Sequence, residues 1–184
     1  MELGITVKVG NKMSLDVFVD SDFAGLYHSD PDNEPTAARS RMGYIVFLGG
    51  FPLFWKSKLV SCICLSTAEA EYTALSSCMR DFVPVRRVAL EMAAVMGYID
   101  GIPTTIWEDN DACRLLATNR HITSRTKYFL VKWHWFWGFM EENMEGPNAV
   151  GILRVKSEDQ KADYLTKSLP IDAHLHNRRG VQGA

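Results

Sequence analysis

The sequence predicts a mixed α/β sheet covered by helices, and three observations carry that prediction. Five short segments have strand character, and the chain order is strand, strand, strand, helix, strand, helix, helix, strand, helix. Strands two and three are separated by little more than Gly49-Gly50, which makes them an antiparallel hairpin. Strands four and five each follow a helix, so both can be parallel crossovers. The expected architecture is a five-stranded mixed sheet, three antiparallel strands and then two parallel crossovers, flanked by helices.

Met1 to Asn11 is weakly patterned and ends in a Gly-Asn turn signal, so it reads as a leader or a strand inherited from a longer chain. In Leu15-Asp16-Val17-Phe18-Val19-Asp20, period two puts Leu15, Val17 and Val19 on one face, which defines strand one. Residues 25 to 41, rich in Gly, Ser, Asp, Asn and Pro, read as a long exposed loop. Gly43 to Leu48 is strand two, and Pro52 to Lys58, with Phe54 and Trp55, is strand three. Val60 to Leu65 is a short apolar lead-in. Ser66-Thr67-Ala68-Glu69 is a capping-box pattern, so a helix starts near Thr67; it is expected to reach about Gly97, with a kink or break near Pro84. Thr104 to Trp107 is strand four, closed by Glu108-Asp109, and Asp111 to Ala117 is a short helix. Arg125 to Glu145 reads as a longer, strongly aromatic helix, and Val150 to Val155 as strand five. Ser157-Glu158-Asp159-Gln160 is a second capping-box pattern, expected to open a helix that carries Asp163 and ends near Lys167. Beyond Pro170 the chain is polar and without periodicity, so residues 171–184 are expected to be a loose tail.

The 184 residues suit one domain, and 47% hydrophobic content is enough for an ordinary core. Twenty Lys and Arg against 22 Asp and Glu give a net charge of -2, without the basic excess of many dedicated nucleic-acid binders. No run reaches the roughly 18 apolar residues of a membrane span; Phe129 to Met140 is interrupted by Lys132 and His134. The N-terminus lacks a charged-then-apolar signal pattern, so an intracellular setting is expected. Cys62, Cys64, Cys78 and Cys113 have no metal-finger spacing and are expected to be free, buried thiols.

Four carboxylates stand where structure alone would not ask for them. Asp20 closes strand one, Glu71 lies one turn into the first helix, Asp109 closes strand four, and Asp163 lies in the first turns of the last helix. Parallel, neighbouring strands one and four would bring Asp20 and Asp109 together at their C-terminal ends, where open α/β sheets tend to place ligands. Converging carboxylates repel one another unless a cation neutralises them. All-oxygen ligands favour magnesium, with manganese as a substitute. Two such ions about 4 Å apart can activate a water and stabilise the leaving oxygen in phosphodiester cleavage.

The motifs resemble the ribonuclease H domain of copia-type (LTR) retrotransposon Pol polyproteins. The resemblance begins at Val19-Asp20-Ser21-Asp22-Phe23-Ala24-Gly25 and continues through Ser40-Arg41-Met42-Gly43-Tyr44 and Trp55-Lys56-Ser57-Lys58. It runs on through the segment from Leu65 to Leu75, with its Glu-Ala-Glu-Tyr core, then Glu108-Asp109-Asn110 and Ser124-Arg125-Thr126-Lys127. It closes with the segment from Glu158 to Lys167. These motifs lie in order over residues 15–170, which are taken as a ribonuclease H-like domain, with residues 1–14 as a leader from upstream polyprotein. The resemblance implies cleavage of the RNA strand of an RNA–DNA hybrid during reverse transcription. Asp20, Glu71, Asp109 and Asp163 would be both catalytic residues and ligands of two Mg²⁺ ions, with water as the nucleophile. It also implies a reverse transcriptase domain on the same polyprotein as partner, no membrane, and a cytoplasmic (virus-like particle) or nuclear location.

Near neighbours compete for these roles. Glu69 and Glu71 lie about 200° apart on a helix. Glu69 has a local job at the third position of the capping box and continues into a polar stripe. Glu71 continues into Leu75, Cys78 and Phe82, a core-facing stripe, and is preferred. Asp20 is preferred to Asp22, which sits where the chain turns, and Asp163 to Asp159. Glu108 is expected to point to the other face of strand four and to be solvated.

For nucleic-acid contact the candidates are Lys56 on strand three, Ser66 and Thr67 at the helix N-terminus, and Arg125 and Lys127 in a basic cluster with Arg120, His121 and Lys132. A solvated helix face explains that cluster equally well. The aromatic run from Tyr128 to Phe139 is read as packing against the sheet rather than base stacking. Tyr128 stands where copia-type domains commonly carry His, and no His lies between Val150 and Asp163. A catalytically inactive or domesticated nucleic-acid-binding module is the rival reading. A transposase or integrase core of the same fold is disfavoured by the Glu-Ala-Glu-Tyr segment.

Overall fold

Alternation along β1 (Leu15–Asp22) buries Leu15, Val17 and Val19 completely on one face and turns Phe18 to the other. A strand with buried residues on both faces belongs in the middle of a sheet, and β1 is there in this computed structural model. The structure describes residues 13–27, 35–119, 124, 126–128 and 134–182. Beside β1 lie β2 (Arg41–Leu48), β3 (Phe51–Leu59), β4 (Thr104–Glu108) and β5 (Val150–Arg154), in the spatial order β3-β2-β1-β4-β5. The β1–β2 and β2–β3 pairs are antiparallel, and the β1–β4 and β4–β5 pairs are parallel, as the connections predict. Gly49 and Gly50, at φ 57° and 83°, take the left-handed backbone that the tight β2–β3 turn requires.

One face of the sheet carries α1 (Thr67–Val95). Tyr72, Leu75, Cys78, Met79 and Phe82 from this helix are fully buried with Val17, Tyr44, Val46 and Ile106. Ser66 caps the helix by accepting from Glu69 N–H at 3.1 Å, and the Glu69 carboxylate accepts from Leu65 N–H at 2.8 Å. The break expected near Pro84 is absent. Pro84 lies on the exposed side of α1, so the carbonyl that loses its partner there can be solvated. Arg86, also buried, donates from Nε to Thr104 Oγ1 at 3.3 Å and from Nη2 to the Asn148 carbonyl, tying α1 to β4 and to the approach to β5.

The short helix α2 (Asp111–Asn119) follows β4 directly. The long aromatic helix expected over 125–145 is not a single element. From residue 134 it is a 3₁₀ turn, His134–Phe136, and then α3 (Trp137–Glu142). The sequence reading put these rings against the sheet; the contacts observed are with α1, where Phe136 is fully buried 5.7 Å from the Tyr72 ring and Trp135 Nε1 donates to Ser76 Oγ at 3.0 Å.

The opposite face of the sheet is covered by α4 (Asp163–Thr166) and α5 (Ile171–Gln182), over Phe18, Ile45 and Phe47. Two expectations need correction here. Ser157–Asp159 is a 3₁₀ turn without a side-chain cap, because Gln160 is buried and its Nε2 donates to the Val19 carbonyl at 2.8 Å. The segment expected to be a loose tail carries α5, held by buried Asn177 and Val181. The four cysteines are free; Cys64, Cys78 and Cys113 are buried and Cys62 is partly so.

Candidate metal centre

The β1–β4 register aligns Leu15 with Thr104 and Phe18 with Trp107, so both parallel strands end at the same edge. Asp20 lies near the end of β1 and Asp109 just past the end of β4. Glu71, one turn into α1, projects from that helix's sheet-facing side and is 4% exposed. Carboxylate oxygens of Asp20, Glu71 and Asp109 all lie within 4.8 Å of one another. They line a cleft of about 410 Å³ together with Ser21, Asp22, Phe23, Thr67, Asn110 and Lys167.

The electrostatics of the cleft follow from crowding and burial. Desolvation, with Asp163 and Asp109 adding repulsion, pushes the Asp20 carboxyl from its ordinary 3.8 to about 7, while the Thr166 hydroxyl, which donates to Asp20 Oδ2, pulls the other way. Burial, then the nearby Glu108, Asp20 and Asp109, hold Glu71 well above the usual carboxylate range. Glu71 Oε2 is buried and no described residue donates a hydrogen bond to it. A buried, unpartnered carboxylate oxygen facing two further carboxylates is a donor set for a hard divalent cation. The residues present therefore fit a metal of the Mg²⁺ or Mn²⁺ type.

Asp163 is brought to the same edge by α4, but it stands outside the close group. Its Oδ1 lies 2.9 Å from Lys167 Nζ. Asp109 accepts from the Ser157 hydroxyl at 2.9 Å, a contact from the turn that follows β5. Asp22 lines the cleft beside the close group rather than within it.

Glu108 is the carboxylate that sequence reasoning misplaced. It does point to the face opposite Asp109, but that face is the core beneath α1, and Glu108 is 0% exposed. Its Oε1 accepts from Asn110 N–H at 3.1 Å and its Oε2 from the Cys113 thiol at 3.3 Å. Burial raises its pKa to about 8. The signal was present in β4, where period two puts Glu108 in line with buried Thr104 and Ile106.

The nucleic-acid candidates separate. Thr67 lines the cleft, whereas Ser66 is engaged as the cap of α1. Lys56 is turned toward α1, where its Nζ lies 2.7 Å from Asp81 Oδ2, and Tyr44 donates to the same carboxylate oxygen. Lys127 is exposed, its ammonium 5.3 Å from the Tyr128 ring centroid. Arg125, like Arg120, His121 and Lys132, lies outside the described residues.

Comparison with known proteins agrees with this fold. No family model matches the chain. Over 166 residues, 90% of the chain, it is 31% identical to the retrovirus-related Pol polyprotein from transposon RE2 of Arabidopsis thaliana. Over 161 residues it is 28% identical to that from transposon TNT 1-94 of Nicotiana tabacum. The chain spans about a tenth of the length of these relatives, 10% and 11%. Among solved structures, LC11-RNase H1 in complex with RNA/DNA hybrid superposes with a TM-score of 0.54 at 14% identity, covering 88% of this chain and 99% of that one. The chain is related to the retrovirus-related Pol polyproteins of plant transposons and has the ribonuclease H fold. The five-stranded mixed sheet is the fold of these structural neighbours. No helix among the described residues is long and apolar enough to cross a membrane.

Proposed function

We propose that this ribonuclease H domain hydrolyses the RNA strand of RNA–DNA hybrids during retrotransposon reverse transcription, with Asp20, Glu71, Asp109 and Asp163 holding two Mg²⁺ ions. The convergence of Asp20, Glu71 and Asp109 at one edge of the sheet carries this reading. The bound ions supply activation of the attacking water and neutralisation of the leaving oxygen. The chain's own residues place the carboxylates: the β1–β4 register sets Asp20 and Asp109, α1 sets Glu71, and Thr166 and Ser157 orient Asp20 and Asp109 through hydrogen bonds. Thr67, on the rim, and Lys127, exposed, are the described candidates for the hybrid's backbone. Recognition by this chemistry follows the hybrid's shape and 2′-hydroxyls rather than its sequence.

The domain is residues 15–170, and α5 extends its packed part. Its working partner is the reverse transcriptase domain of the same polyprotein, in the cytoplasmic virus-like particle or the nucleus. Two bound ions would move the formal charge from -2 to about +2, which removes the objection that the net charge raised.

The test is cleavage of a labelled RNA–DNA hybrid with and without Mg²⁺. Asp109→Asn is expected to lower the rate at least about 100-fold, beyond the loss typical of an outer-shell partner. Undiminished cleavage by that variant, or cleavage unaffected by chelator, would reject the proposal. Hybrid binding without turnover would select the inactive-module alternative.

A further inference from the structure

Lys167 follows Asp163 by four residues, so the two side chains share one face at the end of α4. The pair is uneven: 39% of the Lys167 side chain is exposed, against 10% for Asp163. Lys167 also lines two clefts at once. One is the acidic cleft of Asp20, Glu71 and Asp109. The other, of about 610 Å³, is lined also by Arg39, Arg41 and Ser57. The ammonium is therefore a cation tethered on a flexible stem at the rim of a group of crowded carboxylates.

Its electrostatic reach goes beyond Asp163. The charge of Lys167 favours ionisation of Asp20 and of Glu71. Burial works against the ammonium, yet the contact with Asp163 and the fields of Asp20 and Asp109 hold it above the ordinary lysine value. One charged group thus offsets part of the repulsion that a divalent cation would offset more fully. A divalent cation at the Asp163 carboxylate would lie close to the Lys167 ammonium and repel it. Asp163, the carboxylate bound to Lys167, lies outside the close group of three yet adjoins Asp20 and Asp109.

We propose that the Lys167 ammonium and a divalent cation compete for the Asp163 carboxylate, so that Lys167 sets how tightly the centre takes metal at its Asp163 side. Lys167 is then a positioning residue that acts through Asp163. The second cleft gives its side chain room to swing aside when the carboxylate is claimed. The proposal rests on the reading of the carboxylate group as the metal centre for hybrid hydrolysis.

The experiment is calorimetric titration of the whole 184-residue chain with Mn²⁺, free of nucleic acid, for wild type, Lys167→Gln, Lys167→Arg, Asp163→Asn and the Asp163→Asn/Lys167→Gln double variant. Lys167→Gln is expected to tighten Mn²⁺ binding by about tenfold or more, a difference of about 1.4 kcal/mol. Lys167→Arg, which keeps the charge, is expected to stay near wild type. In the Asp163→Asn background the gain from Lys167→Gln should vanish, because the contested carboxylate is gone. Thermal melting in chelator should show Lys167→Gln folded but lower-melting than wild type, with a larger rise on adding Mn²⁺. A purely structural role would lower the melting temperature and leave Mn²⁺ affinity where it was. Unchanged or weaker affinity in folded Lys167→Gln overturns the proposal, as does an equal gain in the Asp163→Asn background. Hybrid cleavage by wild type, measured alongside, tests the underlying reading separately. If no variant takes up Mn²⁺, both fall.

Discussion

Gly43 lies directly opposite Asp20 in the antiparallel β1–β2 ladder, and its missing side chain is what lets α4 close over the site. A Cβ there would stand 2.7 Å from Thr166 Cγ2 and 2.8 Å from Leu165 Cβ. Both distances are shorter than packed carbons tolerate, so Gly43→Ala must push α4 off the sheet. The expected cost is about 1–3 kcal/mol in urea unfolding, as for other overpacked sites. Hybrid cleavage at saturating Mg²⁺ should fall as well, because the displaced helix carries Thr166 and Asp163. A variant of wild-type stability and rate would show that α4 can move without disturbing the centre.

Thr166 supplies the hydroxyl that Asp20 accepts, and that bond favours the ionised carboxylate. Thr166→Val keeps the shape and removes the donor. The rate is expected to drop about tenfold, at the low end for an outer-shell partner, and the acid limb of the pH–rate profile to move upward. Thr166→Ser should restore both. An unmoved acid limb would mean that the hydroxyl serves packing only.

The raised Asp20 pKa makes stability depend on pH. Between its ordinary 3.8 and about 7, the folded chain holds a proton on Asp20 that the unfolded chain has released. This contribution is therefore full below that window and is lost as pH rises through it. With chelator present, Asp20→Asn should gain in melting temperature relative to wild type from pH 4 to pH 7, by a few degrees. Added Mg²⁺ should shrink the difference, because a cation supports the ionised carboxylate. A constant difference across that range would contradict the assignment.

Glu108 should tolerate neutralisation. It is fully buried, its pKa is raised to about 8, and the protonated form suits its surroundings. Glu108→Gln retains an acceptor for Asn110 N–H and removes the ionisable group. Its unfolding free energy is expected to be near wild type at pH 4.5 and to exceed it increasingly as pH rises to about 8, above which the difference holds steady. Glu108→Ala, which leaves a hole and an unpaired amide, should cost about 1–3 kcal/mol at both. A Glu108→Gln variant that is destabilised at high pH would show that the buried carboxylate is charged after all.

What was legible in the chain was whatever has a short period. Alternation marked the strands, and the stripe from Glu71 through Leu75, Cys78 and Phe82 separated Glu71 from Glu69 before any coordinates. Relations between distant segments left weaker traces. Gln160 looks like the last residue of a capping box, yet its amide is recruited by the Val19 carbonyl, 141 residues earlier. Nothing local announces that bond. Residues 171–182 bury little beyond Asn177 and Val181, too sparse a stripe to read as a helix. The pairing of Asp163 with Lys167 fits the four-residue spacing, but its bearing on the centre needs Asp20 and Asp109 from other strands.

The four carboxylates come from four different segments, residues 20, 71, 109 and 163, that meet only when β4 docks beside β1 and α4 closes over them. No contiguous third of the chain contains more than two of them. On the proposed reading, metal uptake would report the whole topology. Damage anywhere in the sheet or in α1 would then surface first as lost ion occupancy, and would look like a chemical defect when it is an assembly one. Any screen of this domain by activity alone will need an independent gauge of folding to tell the two apart.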